Sequence, residues 1–137
     1  MGAWGVRAFD NDTANDWAYG LDEVRDLSLV EAAFAALEAV GADFLEQDVG
    51  AHALAACEVL ARLLGNPGYQ DAYTEKVDQW VAAHPLKPSP KLLARAEAAL
   101  DRVLGNESEL REEWQDVGED EWRQAVEELR QRLRPQR

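Results

Sequence analysis

The chain is poor in cysteine and in basic residues, and these shortages exclude several classes of protein. Its 137 residues include one cysteine, Cys57, and two histidines, so they provide neither a disulfide framework nor a zinc site made of four Cys and His ligands. Lys and Arg number 14 against 27 Asp and Glu, which gives a net charge of −13. Because non-specific nucleic-acid binding needs clustered cations that displace counterions, we expect no direct nucleic-acid binding.

Long apolar runs and the common catalytic motifs are missing as well. No segment approaches the ~20 apolar residues of a membrane-spanning helix, and the N-terminus lacks the basic and apolar regions of a signal peptide. We therefore expect a soluble, cytoplasmic protein that does not associate with membranes. No Gly-rich phosphate loop, Gly-x-Ser-x-Gly turn or His-Glu-x-x-His helix is present. Their absence favours a protein without enzymatic activity, and we expect no cofactor.

The residues that are abundant form helices. Isoleucine does not occur, whereas Ala, Leu, Glu and Arg, which favour helix over strand, dominate the composition. Gly, Pro, Asn and Ser divide the chain into about seven segments. A chain of this length corresponds to one domain. The sequence therefore predicts an all-α fold, in which residues 1–137 form a single compact bundle of about six or seven helices around a central apolar helix.

The apolar stripes and the breaks between them place the first two helices. One is expected to begin after Asp10-Asn11-Asp12 and to run to about Val24, where apolar residues recur at helical spacing. The next is expected to begin at Ser28, because Ser28 and Glu31 match the capping-box pattern. Gly41 follows its apolar stripe and is expected to end it in a left-handed conformation.

The longest apolar helix is predicted from about Glu46 to Leu64. It is apolar around most of its circumference, so we expect it at the centre of the bundle. Cys57 lies among its apolar residues and is expected in the core, without the lowered pKa of a reactive thiol. Further along the chain, His84 is expected at a helix C-terminus, and Ser89 followed by Pro90 is expected to begin another helix.

The opening segment carries the most unusual pattern in the chain. Gly2 and Gly5 flank an indole, so the backbone can bend around it. An aromatic residue, a group of aspartate and asparagine residues, and an Asp-Trp pair then follow. We take these as the candidate binding residues: Trp4, Phe9, Asp10, Asn11, Asp12, Asp16 and Trp17.

Two interpretations of this segment are open. Asp10 or Asp12 is expected to accept the free N–H groups at the start of the first helix, and Asp16 complements the positive end of the helix dipole. If Asp10 is the cap, Phe9 can pack back on the helix as a hydrophobic staple. The alternative is a Ca²⁺ or Mg²⁺ site, because carboxylate and amide oxygens are suitable ligands. The spacing departs from that of an EF-hand loop, so we favour capping and anchoring.

Stretches in three parts of the chain together carry a resemblance to known proteins. They are Gly2-Ala3-Trp4-Gly5 with Phe9-Asp10-Asn11-Asp12 and Asp16-Trp17, then Ala55-Ala56-Cys57-Glu58-Val59, then Ser108-Glu109-Leu110-Arg111 with Trp114. In these stretches the chain resembles an uncharacterised bacterial family, domain of unknown function 4259. Where similar openings have Gly-x-Gly before the Phe, this chain has Val6-Arg7-Ala8. The resemblance implies a bacterial protein with the family's fold, and it implies no activity.

The apolar helix carries one narrow polar strip, which contains Asp48, His52, Glu58 and Arg62. We interpret this strip as a solvated edge with an exposed Glu58–Arg62 ion pair, worth roughly a few tenths of a kcal/mol. The alternative is a cleft in which His52 acts as a general base and the carboxylates bind a metal ion.

An acidic run extends from Glu107 to Asp120. Glu109 and Glu112 have the Glu-x-x-Glu spacing with which some helical nucleotide pyrophosphatases hold Mg²⁺. A second such helix is missing, so we expect a solvated face. Most Trp and Tyr residues fall on apolar stripes and are expected in the core, whereas Trp4 and Trp114 are less constrained and are candidates for exposed interface anchors.

Charge and the missing catalytic motifs together favour a non-enzymatic interaction protein. A surface with a net charge of −13 would attract a basic partner protein, as an immunity-type or antitoxin-like protein does with a basic nuclease. The alternative is a metal-assisted hydrolase that uses the clustered carboxylates. A DNA mimic is a third, less favoured hypothesis. The oligomeric state stays open.

Overall fold

The computed structural model describes residues 3–134, which form seven α-helices and two isolated β-bridges. A 3-10 turn at Tyr19–Glu23 follows the first helix. The predicted all-α fold and number of helices are confirmed, whereas the predicted role of Gly2 lies outside the described residues. The helices are α1 (Asp12–Ala18), α2 (Ser28–Val40), α3 (Gln47–Leu63), α4 (Glu75–Ala83), α5 (Pro90–Leu104), α6 (Glu109–Gln115) and α7 (Glu119–Arg132).

Several helix ends lie where the sequence predicts them. Gly41 ends α2 with a positive φ of 61°, which favours glycine. Ser89 caps α5, since its Oγ accepts the Leu92 N–H at 3.1 Å, and Pro90 occupies the first helical position. His84 ends α4, and its N–H donates to the Trp80 carbonyl at 3.0 Å. These ends depend on local chemistry alone, so the sequence is sufficient to predict them.

The predicted capping box at the start of α2 is wrong. Ser28 is the first helical residue, and Leu27 occupies the N-cap position without a side-chain hydrogen bond. The side-chain acceptor belongs to Asp26, the residue before the N-cap, because the Ser28 N–H donates to Asp26 Oδ1 at 3.0 Å. The Asp26 carboxylate therefore takes the place of the serine hydroxyl, and the hydrogen bonds from Ser28 lower the pKa of Asp26.

Helix α3 packs against each of the other six α-helices. From Gly50 to Arg62 every residue except His52 is buried, including Glu58 and Arg62. Cys57 is fully buried, as predicted, and burial raises the pKa of its thiol. Because α3 is enclosed on nearly all sides, a charged residue on it must find its partners inside the protein. No helix within residues 3–134 combines the length and apolarity needed to cross a bilayer.

Candidate functional site

The opening segment folds into a tight loop before α1. The Trp4 N–H donates to the Asp10 carbonyl at 2.8 Å, and the Asp10 carboxylate accepts the Arg7 N–H at 3.1 Å. Gly5 lies against this carboxylate, so closely that a Cβ at position 5 would collide with it. The loop therefore closes through the backbones of Trp4 and Asp10, and Gly5 leaves room for the Asp10 carboxylate.

Asn11, not either of its aspartate neighbours, caps α1. Its Oδ1 accepts the Ala14 N–H at 2.8 Å, and its backbone is extended, as an N-cap requires. Its Nδ2 also donates to the Ala8 carbonyl at 3.1 Å. An ionised carboxylate can only accept hydrogen bonds, so an aspartate could not form both contacts. The prediction that Asp10 or Asp12 caps the first helix is therefore wrong.

Phe9 holds the opening segment in the core, where its side chain is fully buried. Its N–H donates to the Tyr69 hydroxyl at 3.4 Å, and its carbonyl accepts Asn15 Nδ2 at 2.8 Å. The hydrophobic staple was conditional on capping by Asp10, and it does not form because Asn11 is the cap. Phe9 instead connects the loop to α1 on one side and to the segment after α3 on the other.

The other predicted site residues separate from one another. Asp12 and Asp16 are exposed on α1, whereas Trp17 is half-buried against the core. Among residues 3–134, no group of three or more His, Cys, Asp and Glu side chains is arranged to hold a metal ion. The structure thus brings Trp4 and Asp10 together and places Asp12, Asp16 and Trp17 elsewhere.

Trp4 lies against Tyr73 in the segment that precedes α4. The ring centroids are 4.7 Å apart, with an angle of 43° between the planes, and we call these two residues the aromatic pair. Trp4 is 47% exposed and Tyr73 is 48% exposed. Trp4 is therefore exposed as expected, whereas the expectation for Trp114 is wrong, because Trp114 is buried in the core. The partner of Trp4 lies 69 positions further along the chain, so no local pattern identifies it.

Carboxylates border the aromatic pair. The Tyr73 N–H donates to Asp71 Oδ1 at 2.9 Å, which places the Asp71 side chain beside the Tyr73 backbone. Partial burial, and to a lesser extent repulsion from Asp71, raises the pKa of the Asp10 carboxyl, while the hydrogen bond from the Arg7 N–H lowers it. Two loops far apart in sequence therefore supply negative charge on one side of the molecule.

A groove of about 460 Å³ continues from Asp71 along α4. Its lining has carboxylate, amide and methyl groups and no basic side chain, and it consists of Gln70, Asp71, Ala72, Glu75, Asp78, Gln79 and Ala82. Of the three carboxylates, Asp78 is committed to internal contacts, because it accepts Arg62 at 3.3 Å and the Thr74 hydroxyl at 2.9 Å. Asp71 and Glu75 are the carboxylates that face solvent here.

A small cavity of about 30 Å³ lies beneath the opening segment, between residues of α3, α6 and α7. It has the size of a single water site. Its lining includes Gln47, Glu113, Trp114 and Trp122. Burial and, secondarily, repulsion from Glu109 raise the pKa of the Glu113 carboxyl.

The sequence prediction missed the most deeply buried charged residue within residues 3–134, Glu58. Glu58 is 1% exposed and forms two hydrogen bonds with the Arg132 guanidinium, at 2.6 and 3.0 Å. Arg62 lies 3.6 Å from the same carboxylate. The predicted solvated edge is therefore wrong for Glu58 and Arg62. The signal in the sequence was the Glu58–Arg62 pair on an otherwise apolar helix. The second cation that binds Glu58 is Arg132, which lies 74 positions further along the chain.

Arg62 and Arg132 also fasten the segment that follows α3. Arg62 donates to the Tyr69 carbonyl at 2.8 Å and to the Pro67 carbonyl at 3.1 Å. Arg132 donates to the Pro67 carbonyl at 3.0 Å, and Gly68 with its φ of 68° leaves room for this side chain. The Tyr69 ring lies beneath three guanidinium groups, those of Arg7 at 4.4 Å, Arg62 at 5.0 Å and Arg132 at 5.9 Å.

The other half of the predicted polar strip has a different environment. Asp48 is exposed and accepts the Val49 N–H at 2.9 Å, whereas His52 is half-buried. Burial lowers the pKa of His52, and the charge of Asp48 partly opposes this shift. Glu58 is occupied by Arg132, so the four residues of the strip do not form one surface.

The acidic run contributes a helix cap as well as exposed charge. Glu109 Oε1 accepts the Gln47 N–H at 2.7 Å, so a side chain of α6 supplies the acceptor for a free N–H group in the first turn of α3. The predicted solvated face is wrong for Glu109, whereas Glu112 and Asp116 are exposed as expected.

Comparisons with known proteins give one match. The family model described as Domain of unknown function (DUF4259) matches residues 2–125. No curated protein and no solved structure matches the chain.

Proposed function

We propose that this chain, which belongs to the family described as Domain of unknown function (DUF4259), is a non-enzymatic protein that binds a basic partner protein. The binding is of the immunity or antitoxin type, in which an acidic protein covers a basic one. We place the protein in the bacterial cytoplasm and propose that it does not bind nucleic acid directly.

One observation carries this proposal: the cations of the chain are largely used internally, whereas many carboxylates face solvent. Arg132 and Arg62 are buried against Glu58. On the surface, Arg95 contacts Glu38 at 2.8 Å, as a further example. Exposed carboxylates without an ion pair among the contacts within residues 3–134 include Asp12, Asp16, Asp71, Glu75, Glu112, Asp116 and Glu121.

This distribution favours association with a positively charged surface. A single-sign field accelerates the encounter with a partner of opposite charge and disfavours partners of like charge. Since the field is screened over about 10 Å at 0.1 M salt, the affinity of such a complex falls as ionic strength rises. The negative charge also opposes the approach of DNA or RNA, which is repelled by the same field.

Native mass spectrometry tests the proposal. The protein is mixed with the basic protein fraction of its host, and spectra are recorded at low and at high ammonium acetate concentration. We expect a complex of defined stoichiometry with a basic protein, weakened at high salt. If the basic fraction yields no such complex, or if the bound protein is acidic, the proposal is wrong.

The same spectra test the alternative of a metal-assisted hydrolase. Mg²⁺, Ca²⁺, Mn²⁺ and Zn²⁺ are added in turn to the wild type and to variants that neutralise Asp10, Asp12, Glu109 or Glu112. A stoichiometric ion that one of these substitutions removes would favour the hydrolase. A spectrum that is indifferent to all four metals favours the interaction protein, because binding to the native state must appear as added mass or added stability.

A further inference from the structure

We infer that the aromatic pair, Trp4 and Tyr73, is the docking point for an arginine side chain of the basic partner. The guanidinium would lie on the exposed ring faces and pair with the carboxylates of Asp71 and Glu75. This inference rests on the proposed function, and it adds the place and the side-chain chemistry of the contact.

Exposure and geometry single out this pair. The large hydrophobic side chains exposed within residues 3–134 are Trp4, Tyr19, Phe44, Tyr73 and Val117. Of these, only Trp4 and Tyr73 make a ring–ring contact in the described chain. Trp and Tyr are enriched among the residues that contribute most of the binding energy at protein interfaces.

Hydrogen bonds hold the backbone at both residues of the aromatic pair before any partner binds. The Trp4 N–H donates to the Asp10 carbonyl at 2.8 Å, and the Tyr73 N–H donates to the Asp71 carboxylate at 2.9 Å. The loop that carries Trp4 is anchored two ways, by the buried Phe9 ring and by the Phe9 N–H bond to Tyr69. A surface that is already ordered loses less conformational entropy on binding.

Charge complementarity identifies the occupant as a cation. The Asp71 carboxylate lies beside the Tyr73 backbone, Asp71 and Glu75 both line the groove along α4, and no basic side chain lines that groove. Asp10 adds a third carboxylate, which is close enough to Asp71 for the Asp71 charge to raise its pKa. Arg7 is the nearest cation of the opening segment, and its guanidinium is already placed over the Tyr69 ring at 4.4 Å. The uncompensated charge around the aromatic pair is therefore negative.

Other aromatic rings in the protein already make a cation–π contact with a Lys or Arg of the chain itself. The Lys76 ammonium lies 4.8 Å from the Tyr19 ring, and the Arg95 guanidinium lies 6.0 Å from the Phe34 ring. Within residues 3–134, no cation occupies the rings of Trp4 or Tyr73. Arginine fits this position better than lysine, because a planar guanidinium stacks on a ring and offers parallel N–H donors to a carboxylate.

Two peptides of equal charge test the inference. Each has nine residues, one with three arginines separated by glycines and serines, the other with lysines at the same positions. Affinity is measured by isothermal titration calorimetry, and the contact is located by the ¹⁵N–¹H signals of the five Trp indoles. We expect the arginine peptide to bind about two- to fivefold more tightly than the lysine peptide. The Trp4 indole signal, identified with Trp4→Phe, should shift more than the others.

Matched variants separate the aromatic contact from general attraction. Tyr73→Ala should weaken arginine-peptide binding and abolish the preference over lysine, whereas Tyr19→Ala, at another exposed tyrosine, should change neither. Glu75→Gln in the first turn of α4 should weaken binding more than Glu121→Gln in the first turn of α7. Circular dichroism spectra and melting temperatures confirm that each variant folds.

The outcomes distinguish this inference from the proposed function. If site and control variants lose affinity equally, or if the lysine peptide binds as tightly as the arginine peptide, the arginine docking point is wrong. The proposed function is then still supported if a basic partner forms the salt-dependent complex. If neither peptide binds, the docking point is also wrong, and the mass spectrometry with the basic protein fraction decides the proposed function separately.

Discussion

Because Gly68 has no Cβ, it leaves space for the Arg132 side chain that binds the buried Glu58 carboxylate. Its φ of 68° places it in the left-handed region, and a Cβ there would meet the Arg132 guanidinium. That guanidinium forms the two hydrogen bonds to Glu58. The position therefore requires glycine for two independent reasons, backbone conformation and space for a neighbouring cation.

Gly68→Ala should destabilise the protein by about 3 kcal/mol, because it adds backbone strain and displaces Arg132 from Glu58. Gly65→Ala is the matched control: its φ of 86° is also positive, but no atom lies within 4 Å of the added Cβ. We expect the control to cost roughly 1 kcal/mol, the strain alone. Urea unfolding measures both, and equal losses would show that the contact with Arg132 is unimportant.

A second residue-scale effect concerns Glu113, whose folded-state pKa is raised by burial and by Glu109. The folded state therefore binds the carboxyl proton more tightly than the unfolded state does, and stability is lost as the pH rises from the ordinary value of 4.5 through the raised value. Glu113→Gln should thus raise the melting temperature at neutral pH, with the gain vanishing below about pH 4. Glu112→Gln, an exposed neighbour with the same change in charge, should give a smaller gain. An equal gain in both variants would contradict this explanation.

At the scale of elements, the opening segment is fastened by Phe9 rather than by its carboxylates. Phe9 is fully buried, whereas Trp4 on the same loop is 47% exposed. Replacing both residues by alanine should lower the melting temperature, and the difference in burial assigns this effect mainly to Phe9. Asn11, rather than an aspartate, caps α1, and the Asp10 carboxylate acts within the loop by accepting the Arg7 N–H.

Phe9→Ala should therefore destabilise the protein by about 3–5 kcal/mol, the usual cost of removing a buried phenyl ring. Trp4→Ala should cost less, about 1–2 kcal/mol, because about half of the side chain is already in water in the folded state. Thermal unfolding followed by circular dichroism measures the two values. A large loss with Trp4→Ala would mean that the aromatic pair stabilises the fold rather than serving a partner.

Helices α3 and α7 are joined through the pair Glu58–Arg132, with α3 also connected to α4 through Arg62 and Asp78. Arg132→Ala leaves a buried carboxylate with only Arg62 near it, and we expect a loss of about 3 kcal/mol. Arg95→Ala breaks the ion pair with Glu38, which is largely exposed, and should cost less than about 1 kcal/mol. Urea unfolding compares the two variants, and similar losses would show that burial does not strengthen the pair.

At the scale of the whole molecule, charge is the dominant property. A net charge of −13 on 137 residues repels itself in the folded state, and this repulsion is screened by salt. We expect the melting temperature to rise as NaCl increases from about 10 mM to about 150 mM, where the Debye length falls from about 30 Å to about 8 Å. Differential scanning calorimetry measures the change. A fall in melting temperature would show that attractive ion pairs outweigh the net repulsion.

The helices and several of their ends were predictable because their causes are local. The residues involved are close in sequence in each case: the apolar residues at helical spacing, Gly41 at the end of α2, and Ser89 with Pro90 at the start of α5. The same local reasoning was wrong at Ser28 and at Asp10, where a neighbouring side chain, Asp26 or Asn11, is the better acceptor. Several acceptors of similar strength compete within three residues there, and small differences in backbone geometry select one.

The candidate site depends on contacts between residues far apart in the chain, which local sequence patterns do not predict. Trp4 was identified from composition and spacing, but its contact with Tyr73 joins residues far apart in the chain. Asp71 and Glu75 carried no signal of their own, because carboxylates near a helix start are common in any sequence. Their position beside the aromatic pair follows from the packing of the opening segment against the segment after α3.

The amino-acid order alone determined the fold class, the number of helices and the negative charge, because helix formation and net charge follow from residue type and spacing within a few positions. The tertiary structure decided which charges are buried and which aromatic rings meet. Glu58 and Arg62 have the spacing of an exposed ion pair, yet both are buried. Arg132, 74 positions after Glu58, donates to the Glu58 carboxylate, and Arg62 finds its acceptors on Pro67, Tyr69 and Asp78. Burial of a charge depends on the partners that packing brings to it, and those partners come from distant parts of the chain.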